Sequence, residues 1–315
     1  MFGESFIKKS VKKFYGDNAL SIDSNTQVFS DKECIIDPKI DTLLFDKSCN
    51  FPIRKFVDGR LITLPKNIRI LNIGTGSTGI FSCNFNQSLD YLHDGLEKLV
   101  LNSSVFNQPL DNLPLTLKEL KINCNQIKNI DVIYLPNLTK LESYTSNFVS
   151  VPKSVTHLIL NNSSQILDLD CPVSILEINQ LKSRMMFSRG FNCSDTIGPI
   201  PDSVEHLIIK SIKDNTLFQR LPIGISTIQI TESILKDCEN VMDNLPSSLS
   251  LIKISVDKFL FDFTNDLVKK LSVIEENIKE NNGTYIKNLQ RVIKIYDIMK
   301  KIKLPFGCNF IVCSE

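Results

Sequence analysis

The sequence predicts a mainly β repeat solenoid, in which similar short coils stack along one axis. Two observations support this fold class. A phrase of one proline and three apolar residues recurs along most of the chain. In that phrase the last two apolar residues are two positions apart, as on one face of a β-strand. The chain has 315 residues, 42% of them hydrophobic, which is enough for a large buried core.

The recurring phrase is clearest in LPLTLKELKINCNQI, residues 113–127. If Pro114 is position zero, then Leu117, Leu120 and Ile122 stand at positions +3, +6 and +8. Proline suits the turn at position zero, because it pre-sets φ and its missing N–H would damage a central strand. Ten anchors of this kind are predicted, at Pro38, Pro65, His93, Pro114, Pro136, Pro152, Pro172, Pro201, Pro222 and Pro246.

Three of the ten copies depart from the regular spacing. Pro38 and Pro136 are followed by a register one residue shorter, and Pro172 keeps Ile175 and Ile178 but has Gln180 in the third apolar place. A period of about 20–29 residues with an L-x-x-L-x-L core is typical of leucine-rich repeats. One coil cannot bury its apolar face alone, so neighbouring coils should stack and their strands should form a leucine-rich-repeat-like parallel sheet. The other half of each coil is short, which predicts a short irregular convex side.

A second phrase precedes two of the anchors. Phe85-Asn86-Gln87 and Phe106-Asn107-Gln108 are 21 residues apart, and Phe191-Asn192 is a looser third copy. We expect the Phe to fill the open side of its coil and the Asn to bond the backbone turn. In FNQSLDYLHDGLEKLVL, FNQPLDNLPLTLKELKI and FNCSDTIGPIPDSVEHLII the chain resembles the FNIP repeat family, a leucine-rich-repeat-like group. The resemblance is specific over residues 81–125 and weaker over 35–255, and it implies a solenoid that binds proteins.

The chain should comprise three regions. Residues 1–34 are predicted to form an N-terminal helix or cap, residues 35–256 a solenoid of about ten coils, and residues 257–315 a C-terminal αα-hairpin cap with a tail. Apolar residues from Phe6 to Phe14 follow helical spacing, with lysines on the other side. This segment could be a basic arm or a membrane-surface helix, but a capping helix is favoured because solenoid ends need a polar covering.

Two helical stretches are predicted between Phe263 and Lys303, separated by Asn281-Asn282-Gly283. Together they should form the hairpin that covers the last coil, although a separate partner-binding module is an alternative. The apolar face of the second helix is predicted to contain Leu289, Val292, Ile293, Tyr296 and Met299. The tail LPFGCNFIVC should pack back as an extended segment.

Composition excludes several classes of partner. With 36 basic and 35 acidic residues, the chain gives no electrostatic reason to expect nucleic acid or an anionic membrane as a partner. No run approaches 18 apolar residues, so no membrane span is predicted. Nine cysteines without a secretory leader favour reduced thiols in an intracellular, cytoplasmic protein. We expect a monomer.

Other motifs predict neither a cofactor nor a metal nor catalysis. Residues 74–79 spell G-x-G-x-x-G, but a dinucleotide site would need a helix to follow, and the sequence IFSCNFNQ favours a lengthened loop instead. His157 and His206 each stand five residues after an anchor, at a predicted separation of about 10 Å, too far for one metal ion. Cys308 and Cys313 lack a second ligand pair.

The predicted working surface is the strand face that points away from the core. Its candidate binding residues are Val100, Lys121, Glu142, His157, Ile159, His206, Ile208 and Gln229. The apolar members could reflect β-propensity or form an exposed apolar strip for a partner.

The predicted function is a non-enzymatic, intracellular protein-interaction scaffold. An alternative is a substrate-recognition adaptor of a ubiquitin ligase, because some members of the FNIP repeat family, which the chain resembles, carry an F-box. A lower alternative is a nucleotide-binding enzyme that uses the loop at residues 74–79.

Overall fold

The computed structural model describes residues 26–29, 39–45, 50, 55–57, 60–62, 64–74, 83–124, 130–131, 134–144, 148–161, 172–179, 199–212, 215–237, 242, 244–269 and 283–314. The chain divides into two compact units. The N-terminal unit consists of Met1–Asn161 with Leu169–Pro172, and the C-terminal unit of Asn162–Asp168 with Val173–Glu315.

The described part of the N-terminal unit contains eleven strands. They are β1 (Thr26–Phe29), β2 (Thr42–Phe45), β3 (Lys55–Val57), β4 (Arg60–Ile62), β5 (Ile70–Ile73), β6 (Lys98–Asn102), β7 (Glu119–Asn123), β8 (Ile130–Asp131), β9 (Lys140–Ser143), β10 (Phe148–Ser150) and β11 (His157–Asn161). Strands β1, β2, β5, β6, β7, β9 and β11 pair in that order, and every pair is parallel. Strands β3 and β4 form a small antiparallel pair, and β8 pairs with β10.

The C-terminal unit continues the same design. Its strands are β12 (Ile175–Asn179), β13 (His206–Ser211), β14 (Thr227–Thr231), β15 (Leu251–Val256) and β16 (Asn309–Ser314), which pair in chain order and in parallel. A 3-10 helix covers Asn215–Arg220, and the described α-helices are α1 (Glu232–Asp237), α2 (Lys258–Lys269) and α3 (Gly283–Lys301). The predicted fold class, a mainly β leucine-rich-repeat-like solenoid, is confirmed.

Each unit is built on a column of aliphatic side chains that point from the strands into the core. In the N-terminal unit the inward leucines of β2, β5, β6, β7, β9 and β11 are paired strand to strand and almost inaccessible to solvent: Leu43, Leu71, Leu99, Leu120, Leu141 and Leu158. In the C-terminal unit the corresponding residues are Leu176, Leu207, Ile228 and Ile252. Strand period and parallel register therefore place every second residue of each strand in the core, as the spacing predicted.

The anchors at position zero close a tight turn before each strand. The carbonyls of Pro65, His93 and Pro114 each accept the N–H of the residue three positions later, at 3.1 Å in all three turns. The same bond recurs at Pro152, Pro201, Pro222 and Pro246. The turn uses the carbonyl of the anchor residue and not its N–H. Proline has this carbonyl and lacks only the N–H, so the turn explains why proline recurs at the anchor.

The structure corrects the register of two predicted coils. Leu138 donates its N–H to the carbonyl of Leu135, so Leu135 and not Pro136 is the anchor and the coil has its full length. In β12, Leu176 pairs with Leu207, whereas Ile175 is half-exposed opposite His206.

The predicted use of Ile175 as a core position after Pro172 was therefore wrong, and Gln180 lies outside the described residues. Val173, Leu176 and Ile178 are buried apolar residues of this coil. The ladder with β13 decides which residues face inward, because a strand alternates its faces whatever apolar residues it carries.

Side chains two residues after the anchor join successive coils, which the sequence analysis missed. Thr116 Oγ1 donates to the carbonyl of Leu96 at 2.9 Å, and Ser248 Oγ donates to the carbonyl of Ile225 at 2.7 Å. Ser203 Oγ reaches the carbonyl of Val173 at 3.0 Å. Each bond satisfies a carbonyl of the preceding turn that the sheet does not use.

The Phe of the Phe-Asn-Gln phrase is buried as expected in both described copies, and the Asn of the first copy bonds the backbone. Phe85 and Phe106 are fully buried and stack with ring centroids 6.2 Å apart, and Phe45 meets Phe85 edge-on at 6.1 Å. Asn86 Oδ1 accepts the N–H of Asn107 at 3.0 Å, so the amide ties one coil to the next. The third copy, Phe191-Asn192, lies outside the described residues.

Asn50 forms the same kind of side-chain bond one coil earlier, where the sequence does not contain the Phe-Asn-Gln phrase. Its Oδ1 accepts the N–H of Asn86 at 3.0 Å and an amide hydrogen of Gln87 at 3.1 Å. The preceding residue is Cys49 rather than Phe, so the motif could not be recognised from the residue pattern.

The chain ends differ from the predicted caps. The predicted helix at Phe6–Phe14 lies outside the described residues, while β1 shows that part of the 1–34 region belongs to the sheet. The tail is extended, as predicted, and forms β16. Cys308 donates its N–H to the carbonyl of Pro305 at 3.1 Å, so Pro305 is a further anchor that the Leu-Pro dipeptide could have indicated.

The two C-terminal helices lie between β15 and β16 in the chain, so the tail strand rather than the hairpin ends the described sheet. Helix α2 begins before Phe263, because Asp257 caps it by accepting the N–H of Leu260 at 2.8 Å. Helix α3 buries Val292, Ile295 and Ile298. Residues 270–282, which hold the rest of the first predicted helix, lie outside the described residues.

Arg291 on α3 forms ion pairs with a carboxylate at the start of α1 and with another just before α2. Its Nη2 donates to Glu232 Oε2 at 2.6 Å and to Asp257 Oδ2 at 2.9 Å, and Lys236 also binds Glu232. Burial opposes ionisation of Glu232, but the hydrogen bonds from Arg291 and Lys236 outweigh it and hold the pKa of the carboxyl below its ordinary value. The Leu260 N–H and Arg291 lower the pKa of Asp257.

We predict that Arg291→Met lowers the free energy of unfolding at neutral pH by about 2 kcal/mol, because the mostly buried Glu232 loses two charged hydrogen bonds. Both carboxyls have depressed pKa values, so their stabilisation is present above the ordinary values of 4.5 and 3.8 and is lost as pH falls through the folded-state values. Urea unfolding of both proteins should show a difference that shrinks as pH falls below 4.5. Lys294→Met, on the exposed side of α3, is the control and should change little; a pH-independent difference would contradict the prediction.

Candidate functional site

The candidate site is the face of the parallel strands that points away from the core. In the N-terminal unit, the middle residues of the strands stand side by side across six strands. This central column consists of Leu44, Asn72, Val100, Lys121, Glu142 and Ile159. A second outward column begins each strand and includes Lys98, Glu119, Lys140 and His157.

The structure divides the predicted site residues between the two units. Lys121, Glu142 and His157 are half-exposed on the N-terminal unit, and the remaining half-exposed residues on the C-terminal unit are His206, Ile208 and Gln229.

Val100 and Ile159 are only 8% and 7% exposed, so their prediction as residues of an exposed face was wrong, and the alternative of an exposed apolar strip is contradicted. Strands lie about 4.8 Å apart, so the neighbouring side chains of the central column cover both residues. Lys121 and Asn72 flank Val100, and Glu142 stands beside Ile159.

Lys121 and Glu142 form the best-defined polar pair of this face. Lys121 Nζ lies 2.7 Å from Glu142 Oε1 and 5.3 Å from the centre of the Tyr144 ring. Burial opposes the charge of Lys121, but the bond to Glu142 outweighs it and raises the pKa of the amine. Burial also raises the pKa of Tyr144, so this side chain is a neutral phenol at neutral pH.

Neighbouring coils carry further ion pairs on the same side. Glu97 binds Arg69 at 2.8 Å and Lys118 at 3.2 Å, and Lys98 binds Glu119 at 2.8 Å. The hydrogen bond from Arg69 is the largest cause of the lowered pKa of Glu97, and the hydrogen bond from Lys118 lowers this pKa further. Exposed pairs of this kind contribute little to stability, so their main consequence is an ordered pattern of alternating charges.

The sequence analysis missed these flanking charges, because it considered only the residue between the last two apolar positions. A signal was present at position +4, where Arg69, Glu97 and Lys118 alternate in sign from coil to coil. Aligning the repeats on their anchors would have shown it. No local pattern indicates Tyr144, which directly follows β9, the strand that pairs with the strand of Lys121.

The C-terminal unit has its own outward column. Glu177 is mostly buried and binds Lys210 at 2.6 Å, while Ile208 pairs with Glu177 on one side and with Gln229 on the other. Gln229 Nε2 donates to Ser255 Oγ at 2.8 Å. Ile208, Gln229 and Ser255 lie on β13, β14 and β15, which are consecutive strands of the sheet. Ile208 is therefore a half-exposed apolar residue within a polar surface.

Histidines and cysteines do not converge on a reactive centre within the residues that the structure describes. No group of three His, Cys, Asp or Glu side chains there could hold a metal ion. His157 stands beside Lys140 in the N-terminal unit, whereas His206 stands beside Ile175 and Thr227 in the other unit. Burial raises the pKa of the Cys124 thiol to about 12, so this thiol is protonated at neutral pH and a poor nucleophile.

Gly74, the first glycine of the G-x-G-x-x-G segment, has a structural role. It has φ of 74°, and Asn102 Nδ2 donates to its carbonyl at 2.9 Å. A Cβ at this position would stand 2.2 Å from the carbonyl oxygen of Asn102. Close backbone approach therefore explains the glycine without a nucleotide, and residues 75–80 lie outside the described part of the chain.

The coils, the anchor turns and the polar outward face define a leucine-rich-repeat-like repeat protein. Neither the protein-family models nor the curated proteins compared with the chain give a match. A solved structure described as the crystal structure of CroV588, a novel circular LRR protein, is 20% identical, with a TM-score of 0.41. The match covers 74% of this chain and 41% of that one, so the chain spans less than half of that protein's length. Of the helices described, none has both the length and the hydropathy that a membrane crossing requires.

Proposed function

We propose that the chain is a non-enzymatic protein-interaction scaffold that binds a protein partner on the outward face of its strands. Repeat solenoids commonly present such extended binding surfaces. The observation that carries the proposal is the Lys121–Glu142–Tyr144 group together with the flanking pairs of Glu97 and Lys98. Side chains from several coils are held there in one ordered, half-exposed surface.

The chemistry of this surface favours recognition over catalysis. Each carboxylate of the pairs described above has a cationic neighbour within about 3 Å, which suits charge complementarity with a partner. Catalytic acids and bases instead need a pKa near the working pH. The pKa values of Glu97 and Glu119 are lowered, which moves them away from neutrality.

The FNIP resemblance is part of the proposal. In its two specific copies Phe85 and Phe106 stack in the core, and Asn86 of the first copy bonds to the following coil. The stacked Phe pair supports assigning the coils at residues 81–125 to that kind of repeat. Protein binding is the function that the resemblance implies.

The experiment compares proteins captured from host cells by the wild-type chain and by the double variant Lys121→Glu with Glu142→Lys. The swap keeps an ion pair but reverses the charge pattern, and it removes the hydrogen bond that Asn161 Nδ2 donates to Glu142 at 3.2 Å. Urea unfolding of the double variant is therefore measured beside the capture, to establish that it remains folded. We expect the wild-type partner to be lost or bound at least about tenfold more weakly.

Asp111→Lys is the matched control, because Asp111 is an exposed acid on a turn before the anchor Pro114. This control should retain the partner. A partner that is bound equally by the wild-type chain and the double swap would contradict the proposed surface.

A further inference from the structure

Strand β16 has an open edge. It pairs in parallel with β15 on one side, and within the part of the chain that the structure describes no strand pairs with its other side. Asn309 donates its N–H to the carbonyl of Ser250 at 3.0 Å, towards β15. The backbone groups of a strand point alternately to its two edges, so those of Ile311 also face β15. Phe310 and Val312 therefore present their N–H and C=O groups to the open edge.

The core columns of the C-terminal unit reach this edge incompletely covered. Phe310 and Val312 pair with Ile252 and Ile254 of β15, which have no solvent exposure. Phe310 and Val312 themselves are only half-buried, although they occupy the same two columns. In a solenoid each coil is covered by the next one. The partial exposure of these two side chains therefore marks a place for one more strand, with apolar side chains at alternate positions.

Strand β16 also lacks the features that commonly protect an edge. Edge strands usually carry charged residues or proline, which prevent pairing with other chains. The six residues of β16, Asn309–Ser314, include neither. Ile311 on the outward face is 43% exposed, and Phe306 in the turn before the strand is fully exposed. Backbone groups and side chains at this edge are thus both suited to the addition of a strand.

The sequence of β16 fits a second copy of itself in the antiparallel direction. If a two-fold axis passes beside Ile311, each Phe310 stands opposite the Val312 of the other copy, and the two Ile311 side chains meet on the outward face. Phe310 and Val312 both face this edge, so each of the two pairs forms two hydrogen bonds. A shift by two residues would instead place Phe310 opposite Ser314, or Ile311 opposite Asn309, and so pair apolar with polar side chains.

Strand β1 of a second copy fits the same edge less well. It ends the described sheet of the N-terminal unit, and its Gln27 pairs with Leu43 of the inward leucine column. Stacking β1 on β16 would continue the apolar column from Phe310 to a polar side chain, which costs free energy unless that amide finds a partner. Contacts between unlike ends also leave one end free for a further copy, whereas pairing of like edges closes after two copies.

We propose that the chain forms a symmetric dimer through antiparallel pairing of β16 with the same strand of a second copy. The pairing covers the half-buried ends of the core columns and gives partners to the backbone groups of the open edge. It uses a surface other than the outward strand face to which a protein partner is assigned above. It also departs from the monomer that the sequence led us to expect.

Sedimentation velocity of the full chain, over about 1–100 μM, measures the oligomeric state. We expect an equilibrium between monomer and dimer in which the dimer fraction rises with concentration and no larger species forms. A monomer throughout this range would overturn the proposal. Species that continue to grow with concentration would also overturn it, because they indicate stacking of unlike ends.

Two variants place the contact at β16. Ile311→Lys brings two ammonium groups together beside the axis and should raise the dissociation constant of the dimer at least about tenfold. Val312→Pro removes an N–H that faces the open edge and not β15, so it should weaken the dimer while the coil is kept. Ile223→Lys, at a residue that is 79% exposed in an anchor turn, is the matched control and should leave the dimer unchanged. Circular dichroism checks that each variant is folded.

Cross-linking tests the register. Opposing Cα atoms in an antiparallel pair without hydrogen bonds are about 4.5 Å apart, which a disulfide can span. The two Ile311 residues would form such a pair. Ile311→Cys in a Cys313→Ser background, oxidised with copper phenanthroline, should therefore give a covalent dimer on non-reducing gels. Mass spectrometry should find a linked peptide that joins residue 311 of both copies, and the background chain should not give this link.

The dimer and the proposed binding face can fail separately. The swap of Lys121 and Glu142 should leave the dimer unchanged, and Ile311→Lys should retain the captured partner. A dimer that keeps its wild-type strength in Ile311→Lys, or that forms without the cross-link at residue 311, would overturn the pairing of β16.

Discussion

Replacing Phe106 with alanine is expected to lower the free energy of unfolding by about 3–5 kcal/mol. The side chain has no solvent exposure and stacks on Phe85 at 6.2 Å, with the two ring planes only 6° apart. Its removal leaves a cavity between two coils that the rigid Asn86–Asn107 bond holds at a set distance. Chemical unfolding followed by circular dichroism measures the effect.

Tyr134→Ala is the matched control, because this aromatic side chain is largely exposed in the same unit. It should change the free energy of unfolding by less than about 0.5 kcal/mol. If Phe106→Ala unfolds at the same denaturant concentration as the wild-type chain, the stacked Phe column does not hold the coils together.

Gly74→Ala should be similarly damaging, with a loss of about 3–5 kcal/mol. The added methyl meets the carbonyl oxygen of Asn102 at 2.2 Å, and the backbone has φ of 74°. The Asn102 oxygen cannot move freely, because it accepts the N–H of Cys83 at 3.2 Å. Thermal and urea unfolding should both show the loss.

Two other glycines separate the causes of this effect. Gly307 has φ of 81° but open space around its Cβ direction, so Gly307→Ala should cost only about 1–2 kcal/mol. Gly283 has open space and no left-handed φ, and alanine there should be neutral or slightly stabilising. Equal losses at positions 74 and 307 would show that contact with Asn102 does not matter.

The repeated phrase predicted the core well, because its information is local. A residue at +6 points inward whenever the strand forms, so Leu99, Leu120 and Leu207 could be placed in the core from spacing alone. The Phe-Asn-Gln phrase was equally informative, since each copy contains both the Phe that fills the core and the Asn side-chain amide. Prediction failed at Pro136 and Pro172, where a proline stood near an anchor position but the sheet ladder set another register.

The candidate site was only partly predictable. Lys121 and Glu142 were chosen from strand alternation, and the structure places them side by side. Val100 and Ile159 were chosen by the same rule, and their neighbours cover them. Alternation gives the direction of a side chain but not its exposure, which depends on the size of residues on neighbouring strands, 17 or more positions away.

The exposed apolar side chains of α3 show the same limit on a helix. Helix α3 has enough apolar residues for two stripes, and periodicity cannot say which stripe the rest of the unit covers. Contacts with α1 and the Arg291 ion pairs bury Val292 and Ile295 and leave Ile293 and Tyr296 in solvent. The basic charge of α3, in contrast, could be counted directly in the sequence.

The sequence by itself determined the coil, the inward column of aliphatic residues and the turn at most anchors, because each of these needs only a few consecutive residues. Tertiary structure alone decided which outward side chains are exposed, which charges pair, and which side of α3 is left open. These features join residues from different coils or helices, and the distances between such residues are set only when the chain has folded.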